Sequence, residues 1–69
     1  MDVRKRVGLN IAVLRKAKSL TQEELSHRAR IHQTYLSGVE TGRRNTSIVV
    51  LERIAKALKV EMEELVRRR

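Results

Sequence analysis

The stretch TQEELSHRARIHQTYLSGVE, Thr21 to Glu40, holds two short amphipathic segments joined through Ala29, Arg30 and Ile31, with one glycine and no proline. Isolated helices shorter than roughly 12–15 residues are marginal in water, so neither half stands without the rest of the chain. The tight join fixes the angle between the halves. It restricts the chain to folds in which other helices clamp a close helical pair.

Apolar spacing places those other helices. Val3, Val7, Ile11 and Leu14 recur at helical intervals and predict a first helix over 2–17. Thr21 and Glu24 have the spacing of a capping box, so a second helix begins there with Leu25 and Ala29 as its buried edge. The third starts near His32 or Gln33, turns Leu36 and Val39 inward and ends by Gly42, a residue suited to the left-handed backbone that closes a helix. Thr46 or Ser47 caps a fourth, with Ile48, Leu51, Ile54, Ala55 and Leu58 along one stripe. Val60, Met62 and Leu65 mark a last short helix. No period-two alternation persists long enough to make a strand, and the expected class is all-α with five helices.

A chain of 69 residues has material for one core, which predicts a single domain over 1–69. With no cysteine, and with Tyr35 as its one aromatic residue, helix packing has to hold it together. The longest apolar runs, such as SIVVL, fall far short of the ~20 residues that span a bilayer. MDVRKRVGLN has no apolar signal core, so the expected location is the cytoplasm. Gly8, Gly38 and Gly42 are too scattered for a phosphate-binding loop. His27 and His32 stand five apart, across a turn, and make a poor metal pair. No enzyme, cofactor or metal site is expected. Sixteen Lys and Arg against eight Asp and Glu give a net charge of +8, which favours a polyanionic partner.

Two helices joined by three or four residues, the second apolar on one edge and polar on the other, match the helix-turn-helix that reads DNA. The first helix lies across the backbone and the second enters the major groove. The segments LRKAKSLTQEEL, YLSGVETGRRN and LERIAKALKV follow in an order and spacing that resemble the phage-repressor and Cro type of helix-turn-helix regulators, the XRE family, from about Val7 to Leu65. TYLSGVETGRRN is also similar to the small controller proteins of restriction-modification systems. The resemblance implies a compact five-helix bundle of the lambda-repressor-like kind, with its helix-turn-helix formed by the second and third helices.

The resemblance also implies duties for individual residues. Gln22 bonds a phosphate at a helix N-terminus. Gln33 and Thr34 fall where the family reads bases, and Ser37, one turn on, joins them. Tyr35 either offers its hydroxyl to a phosphate or lies half in the core. Arg43 and Arg44 suit phosphate or a narrow minor groove, Asn45 faces the same strand, and Arg28 and His32 are peripheral phosphate contacts. Arg15 and Glu40 form a structural salt bridge. Gly38 replaces a long polar side chain, Arg30 stands where relatives often carry glycine, and Ser26 stands where they prefer alanine.

The expected function is a transcriptional regulator that binds double-stranded DNA as a homodimer on a two-fold related operator. Val49, Val50, Met62 and Val66 are the candidate dimer surface. Toxin and RNA polymerase are further candidate partners, and neither a membrane nor a small-molecule effector is expected. The alternatives are an antitoxin paired with a toxin, and an RNA- or protein-binding adaptor on the same fold.

Overall fold

Each helix in the computed structural model, which describes residues 2–69, starts or stops at a local chemical signal. The first, α1 (Val3–Ala17), begins one residue later than the expected 2–17, because Asp2 is its cap and accepts the Arg4 N–H at 2.7 Å. The capping box of α2 (Gln22–Ala29) is complete: Thr21 Oγ1 accepts from the Glu24 amide at 3.0 Å, and the Glu24 carboxylate accepts from the Thr21 amide at 2.9 Å. Helix α3 (Gln33–Glu40) starts after His32, whose side chain makes no capping bond. Ser47 caps α4 (Ile48–Leu58) by accepting the Val50 amide, and α5 (Glu63–Val66) is one turn.

Helices α2 and α4 end alike. Arg30 and Lys59 take the left-handed conformation, each at φ 60°. The next amide reaches back five residues, from Ile31 to Ser26 and from Val60 to Ala55, each at 3.0 Å. Ile31 and Val60 then turn inward against the core. After α3 the left-handed position falls to Gly42, φ +78°, where a side chain would also collide with Lys5.

The helices enclose one core. Val7 and Ile11 of α1, Leu25 and Ala29 of α2, Leu36 and Val39 of α3, Ile54, Ala55 and Leu58 of α4, and Leu65 of α5 are buried together. Helix α1 packs on α3 and α5, and α2 packs on α3 and α4. Ser26 is buried in this packing and donates its hydroxyl to the Glu23 carbonyl at 2.9 Å. Two stripe residues depart from expectation: Val3 is 54% exposed and Ile48 75% exposed. Each is the first residue of its helix, so its side chain projects past the layer that the rest of the stripe covers.

One buried polar residue also lies on the stripe of α1. Asn10 is fully buried and donates its amide to the Leu65 carbonyl at 3.0 Å and the Arg67 carbonyl at 2.8 Å, tying the segment after α5 to α1. Among the described residues, no helix is long and apolar enough to cross a membrane.

Candidate nucleic-acid interface

A close helical pair can present one helix to a ligand only if the turn between them is rigid. Three bonds brace this one, two of them from another helix. Arg53 of α4 donates Nε to the Ala29 carbonyl at 3.0 Å, and its guanidinium also bonds the Arg30 carbonyl. These are carbonyls at the C-terminal end of α2, which lack partners within the helix. Arg53 was not foreseen, because its Cα belongs to α4 and nothing local marks it as a partner of the turn. The third bond is the reach of Ile31 back to Ser26.

At the other end of the pair, Glu40 closes α3 onto α1. Its carboxylate accepts Arg15 Nε at 2.8 Å and a terminal guanidinium nitrogen at 3.1 Å, a two-pronged pair with side chains only 11% and 5% exposed. The remaining Arg15 nitrogen donates to the Leu20 carbonyl at 2.8 Å, pinning the connection into α2. Gln22 lies beside this pair. Its side-chain amide donates to Glu40 at 3.0 Å and is engaged within the protein. The backbone end of α2, where anions are favoured, remains beside it.

The edge of α3 opposite Leu36 and Val39 carries the polar residues. Gln33 and Thr34 are exposed and Ser37 is half-buried. Tyr35 is also half-buried, and its hydroxyl lies 3.2 Å from Thr46 Oγ1, so the ring is fixed against the loop that follows α3. The Arg44 guanidinium lies over that ring, 5.1 Å from its centroid. The aliphatic part of Arg44 runs past Gly38: a Cβ there would stand 3.2 Å from Arg44 Cγ. Gly38 thus makes room for a neighbouring arginine stem, a role that no local pattern announced. Thr34, Gly38, Arg43 and Arg44 line a shallow open depression on this side.

The loop after α3 is held from below. The Arg43 and Arg44 amides both donate to the Gly38 carbonyl, at 2.9 and 3.2 Å. Arg43 Nε donates to Thr41 Oγ1 at 3.1 Å, and Asn45 is exposed. The ion pairs among the described residues are Arg4–Asp2, Arg15–Glu40 and Arg67–Glu64. Arg28, Arg43 and Arg44 are therefore exposed and outside these ion pairs, with Glu24 one turn before Arg28 as a weaker neighbour. His32 is exposed at the start of α3. This gives a polar helix edge flanked by net positive charge, the pattern that attracts a phosphate backbone and leaves a helix edge for the groove.

The four candidate dimer residues divide. Val50 and Met62 are partly buried against the protein's own core, whereas Val49 and Val66 are exposed. Their apolar character was legible; which of them the core claims depends on how α4 and α5 lie. Val66 and Val3 line one apolar depression with Leu51.

Residues 11–65 match the family model HTH_3, helix-turn-helix. The chain is 52% identical over 66 residues to the HTH-type transcriptional regulator y4dJ of Sinorhizobium fredii, covering 96% of this chain and 86% of that one. It is 37% identical over 65 residues to the control protein C.BamHI of Bacillus amyloliquefaciens, covering 93% and 80%. Among solved structures, the restriction-modification controller protein C.AhdI from Aeromonas hydrophila superposes with a TM-score of 0.88 at 39% identity, covering 90% of this chain and 94% of that one.

Proposed function

This chain belongs to the HTH_3 helix-turn-helix family, and on that premise we propose that it is a sequence-specific DNA-binding transcriptional regulator acting as a homodimer on a two-fold related operator. The observation that carries the reading is the division of α3: Leu36 and Val39 are buried, while Gln33 and Thr34 face solvent on an axis braced by Glu40 and Arg53. Gln33 pairs with an adenine edge, and Thr34 offers a hydroxyl and a methyl to thymine, with Ser37 one turn along. The backbone N-terminus of α2 with Gln22, Arg43, Arg44 and Asn45 hold the phosphates, and Arg28 and His32 add peripheral contacts.

A domain of this size makes few base contacts. Two copies with recognition helices about one helical turn apart, ~34–36 Å, supply the remaining specificity. Val49 and Val66, with Ile48 and Val3, are among the exposed apolar residues available to bury between copies, and the partly buried Val50 and Met62 adjoin them in sequence or on the core edge. The control protein and controller protein among the relatives favour a role of that kind, in which occupancy follows the protein's own concentration through dimerisation.

The test is selection of random duplex DNA on the purified protein at physiological salt, with Gln33→Ala in parallel. An inverted repeat is expected, and the variant should lose preference at one position in each half by ~1–3 kcal/mol. Binding that has no motif and simply declines with salt would reduce the reading to nonspecific charge attraction.

A further inference from the structure

The run of arginines that closes the sequence plays no part in the interface described above. In the fold it is exposed but tied back to α1. Asn10 holds the Leu65 and Arg67 carbonyls, and Arg69 Nε donates back to Asn10 Oδ1, so the segment after α5 lies along α1. Arg6 is one helical turn before Asn10 on the same face. The result is a hollow of about 380 Å³ lined by Arg6, Arg68, Arg69 and Leu9.

Three arginines lining one hollow bring like charges together, and none of them is in an ion pair among the described residues. Asp2 is taken by Arg4, and Glu64 by Arg67. Arg6 Nε is buried with no hydrogen-bond partner, an unmet donor of the kind a folded protein rarely leaves. The cluster is also separate from the recognition helix. Gly8, two residues from Arg6 and so roughly 200° round the helix, is the position of α1 that abuts the Val39 and Glu40 carbonyls at the end of α3.

We propose that Arg6, Arg68 and Arg69 form a second anion site, on the opposite side of α1 from α3, that takes a phosphate-bearing ligand. A single carboxylate would leave two of the three cations unmatched. A phosphate group carries up to about two charges and three acceptor oxygens, and guanidinium forks bind it two-pronged. Leu9 supplies an apolar wall, with the exposed Val13 one turn further along α1. The phosphate comes either from a free phosphorylated small molecule or from a DNA backbone passing on this side.

The experiment is a titration of the intact protein followed by the arginine Nε–H resonances, with inorganic pyrophosphate in one arm and a short duplex in the other, at constant ionic strength set with chloride. Saturable shifts at Arg6, Arg68 and Arg69, confined to these three in the pyrophosphate arm, are expected, with binding about tenfold or more weaker in Arg6→Gln, the loss of one charge-assisted pair. Shifts with pyrophosphate identify a small-molecule source. Duplex-induced shifts at these arginines that disappear in Arg6→Gln, while those at Arg43 and Arg44 persist, identify a backbone source. Shifts spread over all arginines, or none at Arg6 in either arm, would overturn the site. Arg6 is only half-buried, so the variant is expected to fold, and its unchanged helical circular dichroism is the check.

Discussion

Replacing Glu40 by alanine should destabilise the protein far more than removal of an ordinary surface charge. Glu40 receives three hydrogen bonds from two residues, two from Arg15 and one from Gln22, in a pocket where the Arg15 and Glu40 side chains are 11% and 5% exposed. An exposed pair contributes ~1 kcal/mol or less. Removing one partner of a buried pair leaves the other charge desolvated and costs ~3–5 kcal/mol. Arg15 keeps its bond to the Leu20 carbonyl, which places the expected loss near the lower figure, about 3 kcal/mol. For a domain of this size each kcal/mol moves the melting temperature by roughly 4–8 °C, so a fall of about 12 °C or more is expected. Thermal unfolding followed by circular dichroism measures it. The double variant Arg15→Met with Glu40→Leu should recover most of the loss, because the cost lies in the stranded charge rather than in the missing pair. A Glu40→Ala protein melting within about 4 °C of the parent would refute the argument.

Gly8→Ala should also lower the melting temperature, although alanine is the better helix former by ~1 kcal/mol, because its Cβ would sit 2.3 Å from the Val39 carbonyl oxygen and force α1 away from α3; a stabilised variant would mean that the helices slide apart freely. Arg30→Gly should raise stability by up to ~1 kcal/mol in urea unfolding, since glycine relieves the left-handed strain at φ 60° while loosening the unfolded chain, and the Arg53 bonds to the turn involve only backbone carbonyls. Asp2 is lowered from 3.8 to about 2, first through its bond from the Arg4 side chain and then through the Arg4 amide. A depressed carboxyl stabilises the fold above its unfolded value and ceases to as pH falls through the folded one, so the cap of α1 should loosen between about pH 4 and 2. Amide exchange at the start of α1 would report this, and an Asp2→Asn variant should lack the transition.

Much of the helical outline was legible because its causes are local. The capping box joins residues three apart, and Ile11, Leu25, Leu36, Ile54 and Leu58, picked out by helical spacing, are all fully buried. The same spacing over-reached at Val3 and Ile48, since periodicity gives the direction of a side chain and not whether another element extends far enough to cover it. On the candidate interface, the exposed edge of Gln33 and Thr34 followed from the apolar edge opposite. The engagement of Gln22 with Glu40, eighteen residues away, had no local signal. Asn10 did have one: a polar residue on the α1 stripe, three after Val7 and four before Leu14, has to find partners inside the fold.

The sequence by itself determined which segments are helical to within a few residues, with Val60 and Met62 falling before α5 rather than in it. It also determined which edge of each is apolar and that the chain is strongly basic. These depend on neighbours within a turn and on composition. Tertiary structure decided which cations act together. It laid Arg44 across Tyr35 and past Gly38, set Arg53 on the turn between α2 and α3, and folded the closing arginines back beside Arg6. Those groupings arise from the crossing of separate helices and the path of the loops between them, which no periodicity within one helix encodes. They fix both the surface proposed to meet DNA and the separate arginine cluster behind it.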